Sequence, residues 1–79
     1  MNELLQNIEK IHTTPMGIDR ILRNLKLDDI DVVEYCKQFL NHTNTIITRQ
    51  GKNWYAKKDN IILTINAYSY TIITAHIVK

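Results

Sequence analysis

Seventy-nine residues, 44% of them hydrophobic and 23% charged, make one small folded domain with a single core. No apolar run approaches the ~18–20 residues that a spanning helix needs, and the N-terminal Met-Asn-Glu-Leu-Leu-Gln lacks the basic start of a signal peptide. One cysteine, Cys36, excludes an internal disulfide and a cysteine-built zinc site, so the chain reads as cytosolic.

The net charge of +2 is unevenly spread. Residues 1–43 carry five basic and seven acidic groups, whereas residues 44–79 carry five basic and one acidic, a local +4. A basic surface attracts polyanions, of which RNA and DNA are the commonest; the plainer reading is solubility charge on an exposed face.

Taken in order, residues 2–12 place Leu4, Leu5, Ile8 and Ile11 at helical spacing and predict a short amphipathic helix ending near His12. Thr14 followed by Pro15 is a helix start, an N-cap with proline at the first position. That second helix runs to about Leu25, with Ile18, Ile21, Leu22 and Leu25 inward. Gly17 weakens it by roughly 1 kcal/mol relative to Ala, unless it admits a neighbouring backbone. Asp28 or Asp29 caps a third helix, whose stripe is Val32 or Val33, Cys36, Phe39 and Leu40. Cys36 on that stripe is expected to be a buried small hydrophobe.

After Asn44 the period changes from about 3.6 to 2. Strands are predicted at residues 45–49, 54–57, 61–67 and 68–78, with turns at Gln50-Gly51-Lys52-Asn53 and Lys58-Asp59-Asn60. Connections this short make neighbours antiparallel. The expectation is an α+β domain spanning residues 1–79: about three N-terminal helices (about 2–41) on one face of a four-stranded antiparallel sheet (about 45–78). In the third strand Ile61, Leu63, Ile65 and Ala67 share a face opposite Ile62, Thr64 and Asn66. In the fourth, Thr71, Ile73, Ala75 and Ile77 are expected inward, with Tyr70, Ile72, Thr74 and His76 outward.

That outer face is where chemistry is expected. His76, Tyr70 and Thr74 offer an imidazole, a phenol and a hydroxyl, Asn66 an amide, and Arg49, Lys52 and Tyr55 cations and an aromatic ring from the first hairpin. Register decides which of these share a side. Such a group can hold a phosphodiester. It can also cleave RNA without a metal, since the 2′-hydroxyl needs a base, the leaving oxygen an acid, and the phosphorane a cation. His76 equally suits a plain exposed strand position, and His12 a helix C-terminus, where a cation is favoured. Trp54 suits the core. No His-x-x-x-His spacing, carboxylate pair or Gly-rich nucleotide loop is present, so no metal or cofactor is called for.

The strings His12-Thr13-Thr14, Gly17-Ile18-Asp19-Arg20-Ile21, Asp31-Val32-Val33-Glu34, residues 49–55 and residues 66–76 resemble a small bacterial family of unknown function, over nearly the whole chain. More loosely, helices followed by a four-stranded sheet with a closing Thr-x-His strand resemble the metal-independent ribonucleases of the barnase/EndoU/colicin/RelE superfamily, many of them toxins. That resemblance implies Thr74 and His76 on the active face, Arg20 and His12 as helix-borne polar groups, and Lys52 or Arg49 on phosphate.

The leading expectation is therefore an RNA-binding domain, in its narrower form a toxin-type endoribonuclease with His76 as general acid or base. The rival is a non-enzymatic interaction protein: a phage or mobile-element inhibitor of a host nucleic-acid enzyme, or a toxin–antitoxin component. It would meet its protein partner, or a second copy, through the exposed edge of the fourth strand.

Overall fold

Two tight hairpins set the sheet. Gly51, with φ of +59°, and Asp59, with φ of +58°, each open a two-residue loop in the left-handed region that glycine and, less readily, aspartate tolerate. The strands they join are β1 (Ile46–Gln50), β2 (Asn53–Lys58) and β3 (Ile61–Asn66), followed by β4 (Ile72–Ile77), in the order β1-β2-β3-β4 and antiparallel throughout. The helices are α1 (Glu3–Gln6), a 3-10 turn (Ile8–Lys10), α2 (Pro15–Leu25) and α3 (Val32–Asn41). The structure is a computed structural model, which describes residues 3–28 and 30–78.

The helices cover one face of the sheet. Leu4, Ile21, Leu25, Cys36, Phe39 and Leu40 pack with Trp54, Ala56, Leu63, Ile65, Ile72 and Ala75 in a single core. Thr14 caps α2 as expected, its Oγ1 accepting from the Gly17 N–H at 3.0 Å. The cap of α3 is Asp31, whose Oδ1 accepts from the Glu34 N–H at 3.2 Å. Asp28 is therefore not the cap, and Asp29 lies outside the described residues. Gly17 does admit a neighbour, but a side chain: a Cβ there would collide with Thr13 Oγ1.

Two sequence expectations fail, one through a long-range pairing and one through a local turn. The N-terminal helix stops early because His12 is extended and forms a parallel bridge to Thr71. His12 N–H donates to Tyr70 O at 3.2 Å and Ile72 N–H donates to His12 O at 2.7 Å. The fourth strand also starts later than residue 68. Asn66 Oδ1 accepts from the N–H groups of Tyr68 and Ser69, both at 2.9 Å, and Tyr70 turns left-handed at φ +60°. These contacts make residues 67–70 a loop despite their strand-like composition.

Within β4 the register shifts: Thr64 lies opposite Thr74 but Ile65 opposite Ile72, leaving Ile73 as an extra residue, a β-bulge. A one-residue shift inverts the faces on one side of it. Ile72 is consequently buried in the core and Ile73 is 37% exposed, the reverse of the expected alternation, while Ala75 stays inward.

Candidate functional site

The face of the sheet away from the helices is assembled from alternate residues of all four strands. Its register makes three rows: Ile46, Lys57, Ile62 and His76; Thr48, Tyr55, Thr64 and Thr74; and Gln50, Asn53 and Asn66. The face carries hydroxyls, amides, one tyrosine near its middle and one lysine, and no acidic residue. Asp59, the one acid after residue 44, sits in the β2–β3 turn. Tyr55 is flanked by Thr48 and Thr64, and its hydroxyl lies 3.5 Å from Asn53 Nδ2, long for a hydrogen bond.

His76 and Thr74 lie on this face as expected, two residues apart on β4. His76 is exposed, and its ring has no hydrogen-bond partner among the described residues. It lines a shallow groove of about 420 Å³ with Asn24, Lys26 and Ile77. Lys26 reaches there because it ends α2 in the left-handed conformation. Lys57 is two strands away from His76, about 10 Å.

The other expected site residues are divided among several places. Tyr70 packs on Trp54, ring centroids 5.4 Å apart, with Lys10 Nζ 5.5 Å from its centroid. Its phenol is held above the ordinary range by desolvation first and by the adjacent Glu3 carboxylate second. Arg49 faces Trp54 across the hairpin, its guanidinium carbon 5.5 Å from that ring and its Nε donating to Gly51 O at 2.8 Å. Trp54 is buried, so Tyr70 and Arg49 belong to its side of the sheet and not to the face of His76. Arg20 is exposed on α2, without hydrogen bond or ion pair among the described residues. Lys52 occupies the hairpin tip, where its carbonyl accepts from the Ala67 N–H at 2.8 Å.

His12 is engaged twice. Its Nδ1 lies 2.9 Å from Lys10 O and its Nε2 3.1 Å from Thr71 Oγ1. A carbonyl only accepts, so Nδ1 donates to Lys10 O, and Nε2 is left to meet the Thr71 hydroxyl. Ser69 Oγ joins the chain at 2.8 Å from Thr71 Oγ1. Thr71 and His76 are five residues apart on one strand, so the two imidazoles are about 15 Å apart and do not form one acid–base pair. Among the described residues no three His, Cys, Asp or Glu side chains are close enough to hold a metal ion.

A family model described as "Protein of unknown function (DUF3781)" matches residues 5–76. The chain belongs to this family. No curated protein and no solved structure matches it. The DUF3781 match spans both imidazoles, the hairpin tip and the whole open face. Sequence reasoning missed two features of this DUF3781 domain. One is the hydroxyl chain from Ser69 through Thr71 to His12, which rests on a contact between residues 59 apart. The other is Tyr68, taken for a strand residue and in fact 74% exposed on a loop. Its signal was local: Asn66 two residues ahead is an Asx-turn former.

Proposed function

We propose that this domain binds single-stranded RNA across the open face of its sheet. The observation that carries the reading is the composition of that face: Tyr55 near the centre, Lys57, hydroxyls and amides around it, and no carboxylate. An aromatic ring stacks any base, a cation neutralises the backbone, and amides and hydroxyls meet 2′-hydroxyls and base edges. The +4 of residues 44–79 supplies the long-range attraction. Such a role places the protein in the cytosol. Fluorescence anisotropy with a labelled 12-nucleotide RNA tests it. Binding that weakens with salt and with Tyr55→Ala supports it; no binding at low salt, or binding indifferent to Tyr55→Ala, defeats it.

Cleavage is the narrower form of the same proposal. Exposed His76 would move the proton beside Thr74, the role that the sequence resemblance to the barnase/EndoU/colicin/RelE ribonucleases implies. Its test is incubation of total RNA in EDTA beside His76→Ala; equal cleavage by both proteins removes His76 from any reaction. A second reading, a protein partner or second copy, is favoured by one observation. Among the described residues nothing hydrogen-bonds to the outer edge of β1, and Ile46 there is 68% exposed. The β4 edge is instead occupied by His12, Thr13 and Asn24.

A further inference from the structure

Tyr68 is more exposed than any other large apolar side chain among the described residues, yet its loop is firmly tied. Asn66 Oδ1 accepts from the Tyr68 and Ser69 N–H groups and from Ser69 Oγ at 3.2 Å, and Tyr70 N–H donates to Asn66 O at 2.9 Å. Ala67 N–H is bound to Lys52 O, which sets the hairpin tip against the residue preceding Tyr68. The Arg49 guanidinium carbon lies 5.7 Å from the Tyr68 ring and 5.5 Å from that of Trp54. With Nε engaged by Gly51 O, the terminal nitrogens of Arg49 have no hydrogen bond among the described residues.

An exposed ring on a pre-ordered loop, a guanidinium held in place with free donors, and an exposed lysine at the tip match the needs of a nucleotide. The base stacks on an aromatic face, and the phosphate takes charge-assisted donors whose ordering cost is already met. Asp59, the one acid after residue 44, sits in the β2–β3 turn, at the opposite end of the strands from Lys52, while Glu3 approaches this side from α1 at the Tyr70 hydroxyl, with Lys10 over the Tyr70 ring.

We propose that Tyr68, Arg49 and Lys52 form a subsite for one nucleotide of an RNA strand, the base on Tyr68 and its phosphate between Arg49 and Lys52. The inference rests on the RNA-binding reading and deepens it. Lys52 stands where the open face meets the Trp54 side, so a strand leaving the row of Gln50 and Asn53 rounds the tip to reach Tyr68.

The experiment has two arms. In the first, adenosine 5′-monophosphate is titrated into ¹⁵N-labelled protein. Shifts at the amides of Lys52, Tyr68 and Ser69 and at Arg49 Nε–H are expected, and their loss in Tyr68→Ala. Shifts elsewhere, or none, overturn the subsite. In the second arm, anisotropy with the 12-nucleotide RNA compares wild type, Tyr68→Ala, Tyr68→Phe and Lys57→Gln. Tyr68→Ala is expected to weaken binding about tenfold, the scale of one lost base stack, and Tyr68→Phe to retain it. If Tyr68→Ala matches wild type while Lys57→Gln weakens binding, the subsite falls and the open-face reading stands. If the monophosphate binds at Tyr68 but RNA does not bind, the open-face reading falls and a mononucleotide site remains. If neither binds, both fall.

Discussion

The two faces of the sheet are built from the same strands and teach different lessons. Toward the helices, Trp54, Ala56, Leu63, Ile65, Ile72 and Ala75 form a continuous buried surface, and their sizes are set by packing. Away from the helices stand threonines, amides, Tyr55, Lys57 and His76, a mostly polar set of which Thr64 is buried and the others are half-buried or exposed. Residues alternate between these surfaces, so Leu63 and Thr64 are chain neighbours with separate tasks. Changing one tests the fold, and changing the other tests the use of the fold.

The largest expected effect lies on the helix side. Leu63 is fully buried on a central strand, so Leu63→Ala should cost about 2–5 kcal/mol, from lost transfer energy and the cavity left behind. Urea unfolding reads it. A cost below about 1 kcal/mol would mean that this core is not packed as described.

Cys36 sharpens the contrast through pH. Burial pushes its thiol from 9.0 to about 12. A raised folded-state value means that the folded protein holds the proton longer than the unfolded chain. Stability is then fully present below pH 9 and declines as pH rises toward 12. The loss is on the order of 1 kcal/mol by pH 10. Cys36→Ala should remove that portion of the slope between pH 8 and 10, and an unchanged slope would place the thiol in contact with water.

Gly17→Ala probes what joins the helices to the edge of the sheet. Alanine is the better helix former by roughly 1 kcal/mol. Its Cβ, however, would displace Thr13 Oγ1, which donates to Ile72 O at 2.9 Å. The sign tells which effect wins: the clash and the lost hydrogen bond together should cost about 2 kcal/mol, which against the helix gain leaves a net destabilisation of about 1 kcal/mol. A stabilised variant would show that the Thr13 contact is dispensable.

What the sequence made legible follows the same division. The Thr14-Pro15 start and the helical stripes of α2 and α3 are local patterns that appear as read, and the third strand keeps its alternating faces but ends at Asn66, with Thr64 buried. The shortened first helix, the Ile73 bulge and the late start of β4 depend on His12 meeting Thr71 and on Asn66 folding back on its own loop. The first is a pairing across 59 residues that no local period encodes. Alternation sufficed to put Thr74 and His76 on one face, whereas Tyr55 and Arg49 were left to hairpin register, which sends them to opposite faces. It failed at Tyr70, where a left-handed residue decides the side.

The smallest expected effect on stability falls on the open face, and it isolates function from fold. Lys57 is exposed between Ile46 and Ile62, without an ion pair among the described residues, so Lys57→Gln should leave stability within about 0.5 kcal/mol of wild type. If the face holds an RNA backbone, the same change removes one phosphate contact. Affinity then falls for every sequence alike, and the slope of log affinity against log salt drops by about 0.7, the single-strand value for one charge. A drop in affinity with an unchanged slope would put a base edge, not a phosphate, opposite Lys57. Unchanged affinity would leave Tyr55 and its threonines as an ordinary solvated surface.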